Sequence, residues 1–200
     1  MSLQFESVNL VTVADLKAAI EPSYDENFTP EYEAMLASII SEVSSQITGY
    51  IQQHTLRAER TETYFVRGSD RALVLRGAKV DDHWFSVVAD DVPMQPEEYF
   101  LKADTGWVLF PQGLTGKRSD VVRVAVTYTG GLGADAAAIK ADHAELHSAA
   151  LMQAKYRVER KDSIGGPLTI PQGMTATSDG QYGFLRHIQV VLDRYRSFGI

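Results

Sequence analysis

Two hundred residues, with 44% hydrophobic and 22% charged side chains, suffice for one ordinary domain or one domain with an inserted module, and they argue against disorder. The formal net charge of −7 and pI near 5.2 exclude broad, non-specific nucleic-acid binding through a basic surface. The lack of cysteine excludes disulfides, thiolate catalysis and cysteine-ligated metal.

The opening MSLQFESVNLV has no basic n-region, so it is not expected to be a signal peptide. No stretch nears the ~18 apolar residues that span a bilayer. The expectation is a soluble protein made in a cytoplasm, without a membrane partner. Residues 8–20 read as a short extended run followed by a short helix, with Thr12 as N-cap and Asp15 closing a capping-box variant. A polar loop around Pro22 follows.

The strongest periodicity lies in PEYEAMLASIISEVSSQITGYI. Apolar residues recur from Tyr32 through Leu36, Ile39, Ile40, Val43 and Ile47 to Ile51 in steps of three and four, with one miss at Ser44. Thr29 as N-cap, Pro30 in the first turn, and Glu31 and Glu33 near the positive end of the dipole predict a long helix over 30–53. Ser38, Ser41, Glu42, Ser45 and Gln46 form its solvent face.

From about Arg60 to Tyr128 the period changes from 3.6 to 2. Short runs rich in β-branched and aromatic residues alternate with turn residues. Asp104-Thr105-Gly106 predicts a hairpin. Val122, Val124, Val126 and Tyr128 share one face of the last strand. About five or six strands are expected, in a small antiparallel sheet or barrel-like module inserted over 60–129. Gly130 to Gly133 closes it.

An alanine-rich helix is then predicted over 135–160, a glycine- and proline-containing loop over 162–180, and a C-terminal helix over 181–197. The expected fold class is α+β, mainly a helical bundle (1–59 and 130–200) carrying the inserted β module.

Chemical motifs are few. Gly131 to Ala136 matches G-x-G-x-x-A after a strand and before a helix, but no βαβ unit surrounds it, so a glycine-rich elbow is the preferred reading. His143 and His147, four apart, would form half of a zinc site on one helix face; the plainer reading is two surface or partner-facing histidines. Asp81-Asp82, Asp90-Asp91 and Glu97-Glu98 are adjacent pairs whose side chains diverge on a strand, so they read as solvated turn and edge residues. No catalytic residue, metal ligand or cofactor is assigned, and the chain is not read as an enzyme. At the C-terminus, Arg186, Arg194 and Arg196 accompany Tyr182, Phe184, Tyr195 and Phe198. Arginines and aromatics anchor interfaces. This helix either docks on another protein, packs on its own domain, or does both.

The order of elements, together with the stretches Leu36 to Tyr50, Val122 to Gly131, Ala149 to Arg160 and the terminal LDRYRSF, resembles the head–tail connector, or head-completion adaptor, proteins of tailed bacteriophages. The resemblance implies a non-catalytic virion neck protein made in the host cytoplasm. Such a protein forms a homo-oligomeric ring, commonly a dodecamer, below the portal. It extends the channel through which DNA passes without specific binding, and it docks the stopper or tail-completion protein. An acidic surface suits that passage. By the same resemblance, Phe184, Arg186, Ile188, Arg194, Tyr195, Arg196 and Phe198 are candidate portal-docking residues. Ser69, Asp70, Gly113, Lys117 and Arg118 are candidate inter-subunit or stopper-facing loop residues. The alternatives are another neck or tail-completion protein, or an enzyme domain using Gly131 to Ala136 or the two histidines.

Overall fold

A computed structural model describes residues 5–20, 29–114, 121–162 and 183–196. The chain divides into two compact units. One comprises Met1–Gln52 with Gly133–Arg196, and the other is essentially Gln53–Leu132.

The first unit is helical: α1 (Val13–Ile20), α2 (Pro30–Ile51), α3 (Ala136–Asp142), α4 (Ala144–Asp162) and α5 (Arg186–Tyr195). α1 starts as its sequence dictates. The Thr12 hydroxyl donates to Asp15 Oδ2 at 2.6 Å and accepts the Asp15 amide at 3.0 Å. α2 starts at Pro30, with Thr29 Oγ1 accepting the Tyr32 amide at 3.3 Å. It ends when Gln52 turns left-handed at φ 56°.

The predicted stripe of α2 is buried from Leu36 to Ile51, and the gap at Ser44 belongs to it. Ser44 is buried, and its hydroxyl accepts the buried Leu10 amide at 3.0 Å. The polar residue therefore satisfies an extended segment that lies against the helix and could not satisfy its own backbone. On the opposite face, Arg157 of α4 bonds Glu42 at 2.5 Å and also Gln46.

The second unit holds two antiparallel sheets. β1 (Ala58–Arg67), β7 (Val121–Gly130), β3 (Asp81–Ala89) and β4 (Val92–Pro93) form one sheet in the order β1-β7-β3-β4. β2 (Ala72–Val74), β6 (Trp107–Leu109) and β5 (Phe100–Lys102) form the other, in the order β2-β6-β5. β1 and β7 pair without a slip from Ala58↔Gly130 to Arg67↔Val121. Val122, Val124, Val126 and Tyr128 are fully buried, joined by Leu73, Leu75, Val87, Val108 and Phe110. The predicted hairpin closes where Lys102 O accepts the Gly106 amide at 2.9 Å, with Gly106 at φ 68°.

Three expectations need correction. The chain is not mainly a helical bundle, because the strands form a second compact unit that buries an apolar core of its own. Among the described residues there are seven strands in two sheets, not five or six in a single sheet or barrel-like module. The helix predicted over 135–160 is two helices, broken at His143, whose backbone lies at φ −136° and ψ 53°. The loop over 162–180 and the first residues of the predicted C-terminal helix fall outside the described residues, apart from Asp162, which ends α4.

Candidate functional site

The α3–α4 break separates the paired histidines. His143 caps α3, and its ring meets Tyr195 edge-on with centroids 5.7 Å apart. His147 is buried, with Nε2 3.5 Å from Asp15 Oδ2. The two rings thus have different neighbours, and His147 is not the surface residue that its spacing suggested. Asp15 takes the Lys140 ammonium at 2.5 Å. That bond first, then the Thr12 hydroxyl, hold its carboxyl well below the usual carboxylate range.

The glycines of Gly131 to Ala136 make room for protein. Gly131 has φ 137°, and a Cβ there would lie 2.2 Å from Leu56 O. A Cβ on Gly133 would meet the Ile139 side chain at 2.9 Å. In a phosphate-binding turn the missing Cβ atoms leave space for the ligand; here protein atoms already fill those positions, and the segment is an elbow.

The acidic pairs lie at a tight turn, in a short 3-10 helix and at the start of β3. Asp90 and Asp91 both have positive φ; Asp90 Oδ1 accepts the Arg123 amide at 2.9 Å, and Asp91 pairs with the Arg123 guanidinium. Glu98 Oε2 accepts the Gln95 amide at 2.7 Å. Asp81 and Asp82 flank His83 Nδ1 at 3.2 and 3.0 Å.

A buried polar cluster among the described residues has no counterpart in the sequence motifs. Glu62, on the core face of β1, is buried. It accepts His54 Nε2 at 2.8 Å, the Tyr64 hydroxyl, and the Arg76 amide at 3.4 Å. The Tyr128 hydroxyl accepts the Gly77 amide at 2.9 Å and also bonds Glu62. Burial pushes the Glu62 carboxyl up, but hydrogen bonds from His54, Tyr64 and Tyr128 outweigh it, and the net shift is downward. Burial and the Glu62 charge raise both tyrosines. The available signal was phase. Thr61 and Thr63 point outward, so Glu62 shares a face with Tyr64 and Val66.

α5 lies on its own unit. Phe184, Ile188 and Leu192 are buried, and the Phe184 ring packs edge-on against Tyr50 at 5.6 Å. Tyr50 donates to Asp193 at 2.6 Å, and the Arg196 guanidinium sits 5.5 Å above the Tyr50 ring. Arg194 pairs with Glu145 at 3.1 Å. Of the candidate docking residues, Phe184 and Ile188 are therefore interior. Arg186 and Arg194 are exposed, Tyr195 and Arg196 are half-buried, and Phe198 lies outside the described residues.

The candidate loops come together. Leu114 N donates to Gly68 O at 3.0 Å, which places Gly113 beside the Gly68-Ser69-Asp70 turn. Lys117 and Arg118 lie outside the described residues. A groove of about 650 Å³ between α2 and α4 is lined by Met35, Ile39, Tyr156 and Arg157. Among the described residues no helix is long and apolar enough to cross a membrane.

The helical unit and the two-sheet antiparallel unit make the chain α+β. No family model and no curated relative matches it. Solved structures do. A chain in the neck of an empty gene transfer agent (GTA) particle, computed with C6 symmetry, aligns at TM-score 0.59 and 15% identity over 94% of this chain and 90% of that one. A chain of the native GTA virion aligns at 0.58 and 16%, with the same coverage. A chain in the native GTA neck, computed with C12 symmetry, aligns at 0.54 and 14%, covering 94% and 89%. The fold is that of GTA particle neck chains, in line with the resemblance to head–tail connectors drawn from the sequence.

Proposed function

We propose that the chain is a structural neck protein of a tailed phage or phage-like particle. In this reading it is a head–tail connector that forms a homo-oligomeric ring below the portal, extends the DNA channel and docks the stopper or tail. The observation that carries the reading is the fold shared with GTA particle chains, two of them described as neck, across nearly the full length of both partners. The sixfold and twelvefold symmetries given for those necks support a ring, and a dodecamer is the expected assembly. The net charge of −7 suits a lumen along which DNA slides. The role is mechanical and needs no catalytic group.

The portal-facing element is α5, through Arg186, Arg194, Tyr195 and Arg196. Deleting residues 182–200 is a poor test, because it strips Phe184, Ile188 and Leu192 from the helical core. Surface reversals at Arg186 and Arg194 leave that core intact. The deciding experiment is negative-stain microscopy of the full chain, alone and mixed with the portal protein of its own particle. A ring stacked on the portal's narrow end, lost in Arg186→Glu/Arg194→Glu, is the expected result. Folded protein that never associates with the portal would refute the connector role and favour another neck or tail-completion position.

A further inference from the structure

The two ends of β7 differ in character. At its start, Phe65 stands opposite Arg123, and Arg67 opposite Val121. All four point away from the core, so they form a two-by-two patch on the solvent face of the sheet. Phe65 is 74% exposed and Val121 50%. Asp91 of the same chain engages Arg123, so the charge offered outward is that of Arg67. This corner adjoins the Gly68-Ser69-Asp70 turn and the loop containing Gly113.

The far end carries Asp81, on which the Arg57 charge acts, and Asp82, which stays exposed although His83 Nδ1 lies 3.0 Å away. Asp81 stands opposite Thr129, but the next pair is Ser86 with Thr127. The extra β3 residues bulge, and a bulge re-aims the side chains it carries. Phe85 turns to the core, and Asp82, His83 and Trp84 turn to solvent. Trp84 is 75% exposed. Between the ends, the outward positions Thr61, Thr63, Ala125, Thr127 and Ser86 are small and uncharged. Ten residues of β7 set the ends about 30 Å apart.

We infer that these ends are the two halves of a head-to-tail contact between copies of this chain: Phe65, Val121 and Arg67 of one copy seat against Trp84 and Asp82 of the next. The inference rests on the ring reading above. A closed ring is built from heterologous contacts, in which each copy offers two different and complementary patches. Here one patch joins an aromatic ring to a cation and the other joins an aromatic ring to an anion. Aromatic and arginine side chains are the residues that anchor interfaces. In a chain of net charge −7, unmatched surfaces of two copies repel, so contact is favoured where an outward arginine meets a carboxylate.

The test uses the absence of native cysteine. Thr63→Cys and His83→Cys, both exposed and beside the anchors, are combined in one chain. Rings of that chain, free or on the portal, are treated with a short bis-maleimide and run on a denaturing gel. A ladder of covalent multimers is expected from the double variant, and monomer alone from each single variant. Independently, Arg67→Asp and Asp82→Arg should each abolish ring assembly and together restore it. Three results overturn the inference: rings without a ladder, dimers from one single-cysteine variant, or charge variants that assemble like the parent. Each of these leaves the ring reading standing. If the unsubstituted chain forms no ring, alone or on the portal, the ring reading and this inference fall together.

Discussion

Replacing Glu62 with glutamine keeps the shape of the side chain and removes its charge from the centre of the buried network. The carboxylate accepts His54 Nε2 at 2.8 Å, the Tyr64 hydroxyl and the Arg76 amide. The amide offers one oxygen where there were two and points an N–H₂ at groups that are themselves donors. Hydrogen bonds to charged groups contribute about 1.5–3 kcal/mol, and a buried donor left unpaired costs about 1–3 kcal/mol. One lost bond and one weakened bond give a destabilisation of about 2–3 kcal/mol. For a chain of this length that lowers the melting temperature by about 5–10 °C at pH 7.

The pH dependence has a definite sign. The folded-state pKa of Glu62 is lowered from its ordinary 4.5, so the unfolded chain binds the proton more readily. Its contribution is complete above about pH 4.5 and is lost as the pH falls through the lower folded value. Melting curves of both proteins between pH 7 and pH 3 should therefore converge at the acid end, because glutamine has no charge to lose. A variant within about 0.5 kcal/mol of the parent at pH 7 would refute the reasoning. So would a gap that stays constant to pH 3.

Two further substitutions test the joints of the fold. Gly131→Ala meets both a positive φ of 137° and the Leu56 carbonyl 2.2 Å from the new Cβ, and is expected to destabilise by more than the ~1–3 kcal/mol of backbone strain alone, read as a fall in denaturant midpoint. Ser44→Ala removes the acceptor of the buried Leu10 amide; a loss of about 1–3 kcal/mol is expected, with faster hydrogen exchange at Leu10 and an unchanged rate in β7.

Much of this architecture was written in local pattern. Thr29-Pro30 starts α2, Thr12 and Asp15 cap α1, and the alternation of β7 marks its buried face, because capping and phase are properties of a few neighbouring residues. What local pattern does not carry is the weight of each core. β2, β5 and β6 have three residues each, too short for a strong period-2 signal, yet their register places Leu73 and Val108 in one apolar core with β7. The long helical periods therefore outweigh the short strands in the sequence, and the size of the β core is hidden there. The break at His143 was hidden for a related reason. Alanine-rich sequence is helical on both sides of it, and a change at a single residue separates His143 from the face of His147.

The candidate docking helix shows the same division between pattern and packing. Its arginines and aromatics invite an interface reading from the sequence, whereas the path of the chain into the helix involves Gln153, which carries no local signal. Gln153 is fully buried on α4. Its amide donates to Gly183 O at 3.0 Å and accepts the Leu185 N–H at 3.3 Å, so one side chain fixes both the position and the direction of the chain entering α5. Gln153→Leu keeps the volume and leaves that N–H and C=O unpaired beside an apolar group. The expected cost is about 2–4 kcal/mol, from two orphaned backbone groups at about 1–2 kcal/mol each. α5 opens before the rest of the helical unit, so trypsin should cut at Arg186 and Arg194 at least tenfold faster while cleavage in β1 and β7 stays at the parental rate. Equal acceleration at all sites would mean that Gln153 supports the whole fold and does not specifically fix α5. Unchanged cleavage would mean that Phe184, Ile188 and Leu192 hold the helix without it.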